Sequence, residues 1–300
     1  MSNPRIPFRM RTEAPRLPAF QGKTILVQLV MNLEHWRFDH GMPRGISTSP
    51  HGKVSIPDVP NFAWAEYGMR VGLPRMFDAI EKRGLTASCS MNANVVEVYE
   101  SCAQKVRDLG WEFIGHGMYQ QSVNSEPDEF AVIRDSLQKL SDFAGTKIRG
   151  WLGPGLSESA DTPDYLSQLG IEYLLDWVLD DQPCWINSDP RPLISVPYNL
   201  ELNDSVLYAM WNLPTGAFLS RLTQTLETFD AEPETSPKVL SLGLHPHLMG
   251  VPHRAGEFNA MLDLLTAHPD VVFVQPHQTM DWFAEAVPQD VDEAARRVTA

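Results

Sequence analysis

Apolar residues along this chain fall into short continuous runs, separated by longer stretches in which they recur at helical spacing, the order expected of repeated β-α units. Eight runs predict strands: TILVQLVM at 24–31, LTASCSM at 85–91, WEFIG at 111–115, KIRGWL at 147–152, IEYLLD at 171–176, LISVPY at 193–198, KVLSLGL at 238–244 and VVFVQ at 271–275. Helices are predicted over 73–83, 95–109, 128–143, 162–169, 218–229 and 257–267. Pro127 and Pro163 stand where a first helical turn tolerates proline, and Gly84, Gly110 and Gly170 stand just past helix ends. The alternation favours a parallel α/β barrel over a sandwich.

Two segments break the rhythm. Residues 36–66, with Pro43, Pro50, Pro57 and Pro60, carry no helical pattern and read as a long loop over the mouth of the first strand. Structureless loops above about 15 residues are uncommon inside compact domains unless they serve function. DAEPETSP at 230–237 reads as an exposed acidic turn. With no internal repeat and no linker, the expected organisation is an extended arm over 1–20, one barrel domain over 21–285 and a tail over 286–300.

A length of 300 residues with 43% hydrophobic content allows a large single core. The formal net charge of -14 argues against a nucleic-acid or anionic-membrane partner, which would need clustered Lys and Arg. The N-terminal residues lack the apolar stretch of a secretory signal, and no run approaches the roughly 18 apolar residues of a membrane span. Cys89, Cys102 and Cys184 have no CxxC spacing, which suits reduced thiols and a cytoplasmic location.

In a parallel barrel the reactive groups gather at the C-terminal ends of the strands. Asn32, Glu34, His35 and Trp36 follow the first predicted strand, and His116 and Gln120 follow the third. RGWLGPG follows Ile148, Asp176, Trp177, Asp180 and Asp181 end the fifth, Glu201, Asn203 and Asp204 come after the sixth, and His245 and His247 close the seventh. His35, His51, His253 and His268 are assigned to structural or solvent roles. The Asp180–Asp181 pair reads equally well as a turn, whereas Glu34, placed between an apolar strand and His-Trp, needs a partner. As a zinc set, Glu34 and His116 offer two ligands, but Gln120 stands where a second imidazole would share the helical face. Zinc is therefore possible, yet no cofactor is expected. Trp36, Trp151, Trp177 and Trp185 near strand ends suggest an aromatic wall for a compact ring.

The motifs MNLEHW, FIGHGMYQQ, RGWLGPG, DWVLDDQPCW, PYNLELND and LHPHLMG, in that order, resemble the polysaccharide deacetylase superfamily, the NodB-homology group that includes carbohydrate esterase family 4. The resemblance runs over about residues 20–285 and is nearest the branch of cyclic-amide hydrolases such as metal-independent allantoinase. It implies a distorted (β/α) barrel, hydrolysis of a non-peptide C–N bond, and assembly into homodimers or tetramers. The family's two first-strand aspartates read Asn32 and Glu34 here, and its two metal histidines read His116 and Gln120. The late histidine, the general acid of the family, matches His245, and the middle-motif arginine matches Arg149.

The sequence thus predicts ring opening of a small cyclic amide or imide. Glu34 is the expected base, or a ligand if a metal persists, His116 holds water or the oxyanion, and His245 is the acid. Asn32, Trp36, Arg149, Trp177, Asp204 and His247 are expected to contact substrate. Two alternatives stand beside this reading: a metal-dependent N-deacetylase of an amino sugar or peptidoglycan fragment, and an inactive barrel that binds a ligand or partner.

Overall fold

A computed structural model describes residues 3–48, 53, 55–232 and 236–289. His51, residues 233–235 of the acidic turn and most of the C-terminal tail lie outside the described residues. All eight predicted strands are present: β1 Ile25–Leu33, β2 Ser88–Met91, β3 Glu112–Gly115, β4 Gly150–Trp151, β5 Tyr173–Leu174, β7 Leu193–Ser195, β8 Lys238–Leu244 and β9 Val271–Phe273. A further strand, β6 Cys184–Ile186, pairs antiparallel with β7, and every other pairing is parallel. The order is β6-β7-β5-β4-β3-β2-β1-β8, with β9 beside the lower half of β1.

The sheet curls into a distorted barrel whose seam lies between β8 and the segment after β7. Gly243 N–H donates to Leu202 O at 3.0 Å, Ser241 Oγ donates to Pro197 O at 2.7 Å, and Asn203 bridges Gly243. Alternation along the strands divides the core into two layers. Leu26, Val30, Ile114, Leu152, Tyr173, Ile194 and Val239 fill the barrel, while Val27, Leu29, Met31, Cys89, Phe113, Leu240 and Leu242 meet the helices outside. β1 is buried at all nine positions, which is why it reads as an unbroken apolar run.

The outer helices are α1 Val59–Tyr67, α2 Leu73–Glu81, α3 Val95–Val98, α4 Glu100–Asp108, α5 Glu129–Ala144, α6 Thr162–Gln168, α7 Ala217–Ala231, α8 Pro246–Met249, α9 Pro252–Ala267 and α10 Pro276–Ala286. Three departures from the sequence reading stand out. The loop predicted over 36–66 ends in α1, since Pro60 sits in the first turn, where no N–H is needed, and Asp58 caps Asn61 N–H. The helix predicted over 95–109 breaks at Tyr99. α10 follows β9 unforeseen, again with proline in its first turn.

The N-terminal arm packs along the barrel, burying Ile6 and Leu17, with Arg5 forked onto Asp164 at 2.8 Å. Among the described residues no helix is long and apolar enough to cross a membrane.

Two inward glycines make room for tyrosines inside the barrel. A Cβ on Gly150 would lie 2.1 Å from the Tyr173 ring, and one on Gly243 would lie 2.5 Å from the Tyr198 hydroxyl and 2.4 Å from the Asn203 amide. Gly243→Ala should therefore destabilise the fold by about 1–3 kcal/mol, the usual range for overpacking. Urea denaturation checks this, and an unchanged midpoint would show that the seam yields freely.

Candidate active site

Strand alternation selects what the barrel mouth contains. On β1 the inward positions run Leu26, Gln28, Val30, Asn32, and the next lies one residue past the strand, at Glu34. The same count along β8 passes through Val239, Ser241 and Gly243 to His245, and along β3 it passes through Ile114 to His116. β1 and β8 are neighbours, and so Glu34 meets His245: their Oε1 and Nε2 atoms are 3.5 Å apart.

A second carboxylate holds the other side of the imidazole. Asp204 Oδ1 lies 2.6 Å from His245 Nδ1, and its Oδ2 accepts the His245 backbone N–H at 2.7 Å. Glu34 Oε2 accepts the Trp36 indole N–H at 2.7 Å. Burial alone would push the Glu34 carboxyl up, but the hydrogen bond and charge of His245 outweigh it and hold the group at about 2. Burial likewise opposes charge on His245, yet Asp204 and Glu34 raise it to about 9. At neutral pH the chain of charges is carboxylate, imidazolium, carboxylate.

The other two histidines remain neutral. His116 directs Nδ1 at the Leu152 carbonyl, so Nδ1 carries the proton and Nε2 presents a lone pair, buried and without a hydrogen-bond partner. Burial keeps this imidazole below its ordinary value. A ring in this tautomer can accept a hydrogen bond at Nε2 but cannot donate one there. His247 is pushed by burial to about 3. Its ring packs edge-on to Trp36 and Trp64, with centroids 5.3 and 4.7 Å away. Gly68 lets the chain after α1 pass against it, since a Cβ there would stand 2.3 Å from His247 N.

Several expected contacts are corrected. Arg149 sits at the start of β4, on the opposite rim, forked onto Glu172 and Asp281 at 2.7–3.1 Å. Asn32 spends its amide N–H groups inside the barrel on Tyr198 Oη and Leu244 O, both at 3.2 Å. Asp204 is fully buried, with its carboxylate on His245. Trp36 anchors Glu34, Trp177 donates to Glu158 at 2.9 Å, Trp151 is outer core, and Trp185 donates to Val287 O. These indoles do not form one wall. Asp180 accepts from Gln182 N–H, as a turn residue does, and His35 packs against Tyr99 and Tyr119.

The sequence reading missed Trp64 on α1, the Leu152 carbonyl, and Arg44, whose Nη1 donates to Ser205 beside Asp204. For Trp64 and Arg44 the length of the 36–66 segment was the one signal.

A deacetylase zinc requires three donor atoms free to converge, typically a carboxylate and two imidazoles. Here both Glu34 oxygens are engaged, Asp204 holds His245 Nδ1, and the Gln120 amide lies against the His116 ring. Among the described residues no three His, Cys, Asp or Glu side chains form a group able to hold a metal ion. The positions matched to the family's ligands thus offer a paired carboxylate, one imidazole and a neutral amide.

His245 has its folded value raised from 6.5 to about 9. Its contribution to stability is therefore complete below pH about 6.5 and disappears as pH rises through about 9. Asp204→Asn should remove most of this alkaline loss by lowering the His245 value. Chemical denaturation of both proteins across that range provides the check, and parallel curves would show that Asp204 does not charge the ring.

No protein-family model matches the chain. A curated Schizosaccharomyces pombe (strain 972) protein, provisionally named a polysaccharide deacetylase, is 24% identical over 230 residues, covering 69% of this chain and 70% of that one. Among solved structures, PuuE allantoinase superposes with a TM-score of 0.82 at 21% identity, covering 92% of this chain and 96% of that one. A Pseudomonas aeruginosa PAO1 protein with the same provisional deacetylase name gives 0.81 at 22% identity, covering 93% and 97%. The fold is the distorted (β/α) barrel of the NodB-homology type, shared by polysaccharide deacetylases and PuuE allantoinase.

Proposed function

We propose that this protein hydrolyses a non-peptide C–N bond by opening the ring of a small cyclic amide or imide, without a metal. The observation that carries the reading is the charged set Asp204–His245–Glu34 beside a neutral His116 with a free Nε2. Ring opening needs an acceptor for the water proton and a donor for the departing nitrogen. Glu34 is ionised and takes one proton of the water, while His116 Nε2 accepts the other O–H and fixes the angle of attack. His245 gives its Nε2 proton to the ring nitrogen as the C–N bond breaks. Asp204, on Nδ1, orients the ring and stabilises its cationic form before the transfer.

The small residual exposure of the pair, 8% for the Glu34 side chain and 9% for that of His245, suits a compact substrate better than a glycan chain. The allantoinase likeness points the same way.

The test is a screen of allantoin, hydantoin, succinimide and N-acetylglucosamine for ring opening or acetate release. Turnover of a ring amide is expected, and it should survive prolonged chelation. Acetate release that chelation abolishes and zinc restores would favour the deacetylase reading instead. No turnover on any of the four would favour a binding barrel. Glu34→Gln, a nearly isosteric change that removes only the charge, should abolish hydrolysis and leave the circular dichroism spectrum intact. His245→Ala should reduce kcat by about 10²–10⁴-fold, the usual worth of a general acid, and by more than His247→Ala. A larger loss at His247 would reverse the assignment.

A further inference from the structure

The bond from His116 Nδ1 ends on the Leu152 carbonyl, and that carbonyl belongs to the same peptide group as Gly153 N–H. Gly153 N–H in turn donates to Asp176 Oδ1 at 2.7 Å. Asp176 lies beyond the end of β5, and its carboxyl group stands against that of Glu158, from the loop after β4. The two oxygens with no other partner, Asp176 Oδ2 and Glu158 Oε1, are both closed to solvent. Two ionised carboxylates cannot donate to one another, so a single shared proton satisfies both atoms. The remaining Glu158 oxygen, Oε2, accepts the Trp177 indole N–H.

Followed outward from Glu158, every donor points the same way. Asp176 gives its proton to Glu158, Gly153 N–H donates to Asp176, and His116 Nδ1–H donates to the Leu152 carbonyl. Hydrogen bonds aligned in series polarise one another, and this series carries one negative charge at its far end. That charge favours a proton on Nδ1 and a lone pair on Nε2.

We propose that Glu158 and Asp176 are positioning residues that act on His116 through the Leu152–Gly153 peptide group, fixing the tautomer in which Nε2 accepts a proton from the attacking water. This rests on the reading of His116 given above, and it assigns Trp177 a task other than substrate contact. Side chains that orient a reactive imidazole from behind are typically worth about 10–100-fold. Here the orienting acid works at one remove, with a peptide unit interposed.

Nitrogen-15 NMR of the imidazole rings in the full-length protein tests it without any substrate. The expected wild-type spectrum shows His116 with Nδ1 protonated and Nε2 bare at neutral pH. A bare Nδ1 would overturn the proposal at once, with no variant needed. Asp176→Asn retains an acceptor for Gly153 N–H and a donor for Glu158, so it should preserve the tautomer and leave kcat for the ring amide within about threefold. Asp176→Ala removes both, and should mix the two tautomers and reduce kcat by about 10–100-fold at unchanged KM. An Asp176→Ala protein with the wild-type ring spectrum would also overturn it. Absence of turnover in wild type would defeat the assigned reaction, whereas the ring spectra of wild type and variant would still decide for or against the relay.

Discussion

The pairing of β8 with β1 is the constraint on which the site depends. It runs in register from Ile25↔Lys238 to Met31↔Leu244, so that the two strands end side by side with the same parity facing inward. Above that last pair the next inward residues are Asn32 on β1 and His245 on β8, and Glu34 is the inward position that follows Asn32. The seam adds the third member: Gly243 N–H bonded to Leu202 O draws the chain after β7 against β8, and Asp204 follows two residues later. Closing the barrel and assembling the charged set are one event. A slip of one residue in β8 would turn His245 toward the outer helices.

Burying two carboxylates and an imidazolium is unfavourable one group at a time, since desolvation of a single unpaired ion costs several kcal/mol. Together they are satisfied, because each charge faces an opposite one and the outer lone pairs meet the Trp36 indole and the His245 backbone N–H. The same coupling would serve the proposed hydrolysis. Glu34 is a weak base in the resting protein chiefly because His245 is charged and hydrogen-bonded beside it. As His245 gives its proton away, that stabilisation fades and Glu34 holds its new proton more firmly. Donor and acceptor strengthen one another during the reaction, which a carboxylate with a fixed cationic neighbour would not achieve.

Much of this is legible in the sequence. Eight strands and the placement of Glu34, His116 and His245 follow from apolar runs and from what stands just beyond them. What stays hidden depends on long-range geometry. Arg149 matches a family position by sequence, but it precedes its strand's short paired stretch and so falls on the far rim. Asp204 reads as a substrate contact because no pattern reveals that the seam folds it behind His245. Proline suggests a loop before α1, where Pro60 in fact occupies a first helical turn. The backbone carbonyl that fixes His116 has no sequence signature, since any residue supplies one.

His116, His245 and His247 show how one side-chain chemistry is divided by its neighbours. All three are shut away from water, which by itself pushes each toward the neutral form. Only His245 has a carboxylate on each side, and only it is charged. His116 faces a peptide carbonyl, which fixes a tautomer without adding a full charge. His247 packs against two indoles that offer it no hydrogen-bond acceptor, and its own Nε2 is left bare. One charged ring, one neutral ring of fixed tautomer and one neutral ring packed on indoles are thereby made from three identical side chains, and what touches each ring, two carboxylates, a peptide carbonyl or two indoles, determines which it becomes.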